Sequence, residues 1–107
     1  MAFSKVYPML VQKAERKGRT RAEVDEITSW LTGYTAEQIA AALASDITYS
    51  AFFSSAPRWN PRSDFISGRV CGIQVETIED PMMKKIRQLD KLIDDLAKGK
   101  SMEKVLR

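Results

Sequence analysis

The stretch that decides the fold is IEDPMMKKIRQLDKLIDDLAK, residues 78–98. Its apolar residues recur four and three positions apart, which is the spacing of one helix face or of a short coiled-coil seam. Asp80 is a typical N-cap, and Pro81 suits the first helical position, where an absent N–H loses no partner. The sequence therefore predicts a long helix over about 81–98. Its apolar stripe consists of Met82, Ile86, Leu89, Ile93 and Leu96.

This stripe has two interpretations. It either packs against the rest of the same chain or pairs with its copy in a homodimer. Intramolecular packing is favoured slightly, because the stripe covers about two heptads and a coiled coil is indicated by three or four. The charged residues Lys91 and Asp95 stand four positions apart and are expected on a solvated face of this helix.

Shorter helices are predicted upstream. Pro8 is expected in the first turn of a helix that Gly18 ends. Two Thr-x-x-Glu/Gln capping boxes then begin a second and a third helix. The predicted ranges are about 6–17, Thr20 to Gly33 and Thr35 to Ser45.

The segment between the third helix and residue 78 is less periodic. A short helix is predicted before Pro57, and two short extended pieces separated by Gly68 and Gly72 predict a β-hairpin around residues 65–76. Ser101 can cap a last helical turn. The predicted fold is mainly α (minor α+β), one compact domain over residues 1–107 with four to five helices. The predicted core is Leu10, Val11, Val24, Ile27, Leu31, Ile39, Leu43, Phe52, Ile86, Leu89, Ile93 and Leu96.

Composition sets the broad class. The chain has 107 residues, is 44% hydrophobic and carries a formal net charge of +3. Six cations and one anion lie in residues 1–21, so the positive excess is at the front. No apolar run reaches the length of a membrane helix, and the first residues do not form a signal peptide. We expect a cytoplasmic protein with no membrane partner.

The sequence argues against most catalytic mechanisms. Histidine is absent, which removes the commonest general base and the commonest transition-metal ligand. Cys71 is expected to be a buried, inert thiol, because its neighbours are apolar. No metal or cofactor is expected. An enzyme acting on a small ligand would have to use groups such as Tyr49, Arg69 and Glu76, whose convergence the sequence does not indicate.

A basic segment is the strongest binding signal in the sequence. It surrounds a predicted helix end, a glycine turn and the next helix start, where backbone N–H groups and the helix dipole attract anions. Nucleic-acid phosphate is the corresponding ligand class, although a solvated surface is the commoner meaning of a basic run. Arg58, Trp59, Arg62 and Arg69 add cations beside aromatic rings, a combination that can stack unpaired bases. The basic segment contains Lys13, Arg16, Lys17, Arg19 and Arg21.

Several motifs in order resemble one family. Those that carry the resemblance are VYP at residues 6–8, VQKAERKGRT at 11–20, WLTGY at 30–34, IEDP at 78–81 and LDKLID at 89–94. They resemble the small bacterial proteins catalogued as domain of unknown function 2200, over nearly the whole chain. The resemblance implies a stand-alone bacterial protein, and it implies no activity, cofactor or catalytic residue.

These observations rank three functions. The first is a non-enzymatic bacterial interaction or structural module, with dimerisation through the helix at about 81–98 as one form of it. The second is binding of nucleic acid or another anion through residues 13–21. The third is a small-ligand enzyme that uses carboxylate, tyrosine and arginine side chains.

Overall fold

The structure is a computed structural model that describes residues 1–106. In this range the chain forms six α-helices, and the connection between the fourth and the fifth contains a two-stranded antiparallel hairpin. The helices are α1 (Phe3–Glu15), α2 (Arg21–Thr32), α3 (Ala36–Leu43), α4 (Tyr49–Ser54), α5 (Pro81–Ala97) and α6 (Met102–Val105). The strands are β1 (Arg69–Val70) and β2 (Ile73–Gln74), and 3-10 turns occupy Pro61–Phe65 and Val75–Thr77. The predicted mainly helical fold with a small hairpin is confirmed.

Helix α5 is the central element. It contacts α1, α2, α4, α6 and β1. Asp80 caps it as predicted, because its Oδ1 accepts hydrogen bonds from the N–H groups of Met82 and Met83. Within the described residues, no helix combines the length and the apolar character needed to cross a bilayer.

Helix α1 begins and ends earlier than predicted, and its last residue is Glu15 rather than about residue 17. It begins at Phe3, three residues earlier than expected, and Pro8 lies inside the helix rather than in its first turn. The aromatic side chains of Phe3 and Tyr7 are fully buried, and they hold the first turn in place although Pro8 offers no N–H to the Ser4 carbonyl. Tertiary packing therefore outweighs the local cost of the proline.

The threonine caps of the next helices are confirmed. Thr20 accepts from the N–H of Glu23, whose carboxylate accepts in return from the N–H of Thr20. Thr35 makes the same reciprocal pair with Gln38. The predicted short helix before Pro57 is α4.

The core is partly a stack of aromatic rings. The ring of Phe3 lies 4.8 Å from that of Tyr7 and 4.0 Å from that of Phe52, between ring centroids. Phe53 meets Phe52 edge-on, a geometry that aromatic rings favour. Of the predicted core, Leu10, Leu43 and Ile86 are only partly buried and pack at its edge. The nine predicted residues that are buried are Val11, Val24, Ile27, Leu31, Ile39, Phe52, Leu89, Ile93 and Leu96.

The prediction that Lys91 and Asp95 lie on a solvated face of α5 is wrong. Their side chains are only 10% and 1% exposed, and they form an ion pair of 2.7 Å. The Lys100 ammonium lies 3.6 Å from the same Asp95 oxygen. The loop at Gly68 covers this side of the helix, since a Cβ built there would lie 2.9 Å from Lys91 Cε. Both charges are therefore satisfied inside the protein.

We expect Asp95→Ala to lower the free energy of unfolding by about 3 kcal/mol or more, because it leaves the Lys91 ammonium buried without its main partner. The double variant Lys91→Met/Asp95→Leu removes both charges and is expected to recover much of this loss. Urea unfolding measures both effects. A loss below about 1 kcal/mol for Asp95→Ala would contradict the burial of this pair.

Candidate functional site

A short loop bridges α2 and α5. The N–H of Arg58 donates to the carbonyl of Thr32 and that of Asn60 to the carbonyl of Leu31. The Asn60 side-chain amide also donates to the carbonyl of Trp30, at 3.0 Å. These bonds satisfy carbonyl groups that the end of α2 leaves without helical partners. The loop at 57–61 is thereby fixed to the C-terminal turn of α2.

Gly33 allows the loop to approach α2 closely. Its φ of +82° is left-handed, and a Cβ built on it would lie 2.7 Å from the Cβ and 2.8 Å from the backbone N of Arg58. A side chain at this position would both strain the backbone and displace the loop. The sequence predicted Gly33 only as a helix stop.

Trp59 anchors the other side of the loop. Its indole N–H donates to Ser63 Oγ at 3.0 Å, and its ring meets the ring of Phe53 at a steep angle. The Lys85 ammonium lies 5.0 Å from the centre of the indole ring, a cation–π contact. Trp59 is therefore held between the core and α5. Trp59 therefore fixes the loop to the core, and its ring is not freely exposed.

Two clefts flank Pro61, which lines both of them. The first is about 340 Å³ in volume and lies against the end of α2. The second is about 240 Å³ and lies against the first turns of α5. We call the two together the Pro61 surface. Its side chains include Ser29, Trp30, Arg58 and Asn60 in the first cleft, and Trp59, Asp64, Lys84, Lys85 and Gln88 in the second.

Most cations of the predicted basic segment are engaged by carboxylates. The Lys13 ammonium lies 3.1 Å from an oxygen of Asp94, which also pairs with Lys98. Arg21 pairs with Asp25 at 3.6 Å. Burial raises the pKa of Asp94, but the hydrogen bonds from Lys98 and Lys13 outweigh it, so that its pKa lies below the usual value.

Arg19 is also committed within the chain. Its guanidinium pairs with Glu23 at 2.6 Å and donates to the carbonyl of Lys100 at 2.9 Å. The hydrogen bond from Arg19 is the main reason why the pKa of Glu23 is lowered. The expected anion site at the start of α2 is likewise occupied by the carboxylate of Glu23. Arg16 and Lys17 remain exposed, and neither makes an ion pair within residues 1–106.

The three candidate catalytic groups lie in different surroundings. Tyr49 is buried next to Phe53 in the core, and burial raises the pKa of its hydroxyl. Glu76 accepts from the N–H of Gly68 and from the Gln74 side chain, within the hairpin. Neither these two nor the exposed Arg69 lines a cleft described above. The described residues contain no cluster of three or more metal-binding side chains.

Cys71 corrects a prediction. The thiol was expected to be buried, but it is exposed. Cys71 and Gly72 form the two-residue turn of the hairpin, with φ values of 51° and 76°. Two positive φ values are typical of the hairpin turns that match strand twist, and such a turn points its side chains to solvent. In the sequence, the pair Cys71-Gly72 between the apolar residues Val70 and Ile73 indicates this turn.

The apolar stripe of α5 lies in the core of its own chain. Leu89, Ile93 and Leu96 are fully buried, and Met82 and Ile86 are partly buried against the same core. Intramolecular packing therefore accounts for the stripe. A homodimer seam made from the same side chains stays a prediction, and it would first require them to leave this core.

The fold defines a small, mainly α-helical protein with a minor β-hairpin and a cleft-bearing surface at the α2–α5 junction. The sequence matches, over residues 1–107, the model of a family described as "Uncharacterized protein conserved in bacteria (DUF2200)", and the chain belongs to this family. No curated protein matches it. The family prediction is confirmed, and the family description names no activity.

A solved structure is similar to the chain throughout. It is described as "Crystal structure of uncharacterized protein SP1917" and shares 48% sequence identity with this chain. The match covers 99% of this chain and 87% of that one, with a TM-score of 0.95. This similarity supports the helical fold and adds no activity to it.

We expect Gly33→Ala to cost more stability than Gly18→Ala. Both glycines have a left-handed φ, near +80°, but a Cβ at Gly18 would meet no atom within 4 Å. The strain of about 1–2 kcal/mol is common to both variants, and the contact with Arg58 adds about 1 kcal/mol or more. Urea unfolding followed by tryptophan fluorescence measures the difference. Equal losses would show that the loop does not need its close approach to α2.

We expect the thermal midpoint to be independent of protein concentration, because the α5 stripe is buried within one chain. Leu89→Ala should lower the free energy of unfolding by about 2–5 kcal/mol. Met83→Ala, at a side chain that is 43% exposed, is the control and should change it by less than about 0.5 kcal/mol. A midpoint that rises with concentration would support the homodimer instead.

Proposed function

We propose that this protein is a non-enzymatic binding module that holds an anionic partner on the Pro61 surface. The observation that carries the proposal is the contrast between the two groups of cations in the fold. Three of the five cations in the predicted basic segment are paired with carboxylates. Arg58, Lys84 and Lys85 form no ion pair with another described residue.

The three cations that form no ion pair line the two clefts of the Pro61 surface. Arg58 lines the first cleft, and Lys84 and Lys85 line the second. Cations without a carboxylate partner leave a positive potential in the solvent, and a cleft concentrates it. No carboxylate lines the first cleft, and Asp64 is the one carboxylate among the residues that line the second. Cations therefore outnumber carboxylates on the Pro61 surface.

The surface is also preorganised. The backbone N–H of Arg58 donates to the end of α2, and the ring of the next residue, Trp59, contacts Phe53 and Lys85. A binding loop that is fixed before the partner arrives loses little conformational freedom on association. The geometry supports binding of a charged partner better than it supports catalysis, because the candidate catalytic groups lie elsewhere.

The test is binding of fluorescein-labelled heparin, a polyanion without bases, measured by fluorescence anisotropy at about 50 and 200 mM salt. Binding should weaken at the higher salt, because phosphate-like and sulfate groups release counterions on binding. The triple variant Arg58→Gln/Lys84→Gln/Lys85→Gln should lose about tenfold or more in affinity at the lower salt.

The matched control is Lys5→Gln/Arg16→Gln/Lys17→Gln, which removes the same charge from exposed positions. It should keep most of the affinity. If the control loses as much as the cleft variant, net charge rather than the Pro61 surface governs binding. If only the control loses affinity, the binding site includes Lys5, Arg16 or Lys17, and the Pro61 surface is not the site. Absence of binding at 50 mM salt would refute the proposal.

A further inference from the structure

We propose that the anionic partner is single-stranded nucleic acid, with a base stacked on Trp30 and its phosphates on Arg58, Lys84 and Lys85. This inference rests on the proposed function and names its ligand class. Trp30 and Arg58 both line the first cleft, so an aromatic residue and an arginine border the same space. An aromatic ring beside cations is the usual platform for unpaired bases.

Trp30 is better placed for stacking than Trp59. The ring of Trp59 has Lys85 over one face and Phe53 against it, and its N–H is bonded to Ser63. Trp30 is only partly buried at the edge of the core, and it lines the first cleft. The first cleft, at about 340 Å³, lies within the range of about 300–1,000 Å³ found for small-molecule sites.

Stacking and phosphate contacts predict binding with little sequence preference, because every base presents an aromatic face. The Asn60 amide donates one N–H to the Trp30 carbonyl, and its carbonyl oxygen accepts from the N–H of Arg62, so this side chain is held within the loop.

A double helix fits this surface poorly. Readout of a duplex groove uses a protruding helix or β-ribbon, whereas the Pro61 surface is concave and lies at the junction of a helix end and a loop. A base can enter the first cleft only when it is unstacked from its neighbours. Helix α3, which carries no lysine or arginine, offers no alternative reader.

The experiment compares three labelled probes on the full chain at about 50 mM salt: an oligothymidylate of about 15 nucleotides, an abasic strand of equal length, and heparin. Trp30→Leu keeps an apolar side chain against the core and removes the aromatic face. It should weaken oligothymidylate binding by about 5- to 100-fold, the range for one stacked base. Binding of the abasic strand and of heparin should not change.

Trp30→Phe is the matched control, because it retains a ring and should retain most of the affinity. Arg58→Gln/Lys84→Gln/Lys85→Gln should reduce the slope of log affinity against log salt by about two units for the single strand. Urea unfolding of each variant separates a loss of fold from a loss of binding.

The outcomes distinguish this inference from the proposed function. Equal affinity of Trp30→Leu and the wild type for oligothymidylate would overturn base stacking and leave polyanion binding intact. So would a wild type that binds the abasic strand as tightly as it binds oligothymidylate. Tighter binding of a duplex of the same length would also overturn the inference. Failure of all probes to bind would refute both.

Discussion

The burial of α5 is the constraint on which the rest of the structure depends. This helix contacts helices on several sides and the hairpin as well, so charged side chains on its covered face cannot reach water. Lys91 and Asp95 therefore pair with each other, and Lys100 supports the same carboxylate. Gly68 leaves the space that the lysine occupies. A buried pair of this kind is costly to break, which ties the hairpin, α5 and the segment before α6 into one unit.

The same constraint arranges the surface charge. Asp94 lies next to the buried pair and draws Lys13 and Lys98 towards α5. Arg19 and Arg21 satisfy carboxylates on α2 in the same way. These ion pairs with carboxylates thus neutralise much of the positive charge of the N-terminal residues 1–21. Arg16 and Lys17 stay exposed, whereas the cations around Pro61, which α2 and α5 bring together, line the two clefts of the Pro61 surface.

Local sequence signals predicted much of the fold, because they act within a few residues. The two capping boxes, the Asp80 cap with Pro81 and the glycine after α2 were all predicted from spacing and are present. Predictions that depended on distant packing were less accurate. The start of α1 depends on where Phe3 and Tyr7 are buried, and the exposure of Cys71 depends on how β1 and β2 pair. The candidate site was only partly foreseen: cations beside Trp59 were noted, but Trp30, Lys84 and Lys85 were not.

The sequence by itself determined which segments are helical, where most of them begin, and the family, since caps, apolar periodicity and motif order are properties of neighbouring residues. Only the tertiary structure decided which charges are neutralised and which face a cleft. Ion pairs such as Lys13 with Asp94 join residues far apart in the chain, and the contact of Gly33 with Arg58 does the same. Electrostatic interaction depends on distance in space and on burial, and neither quantity is contained in the spacing of residues along the chain.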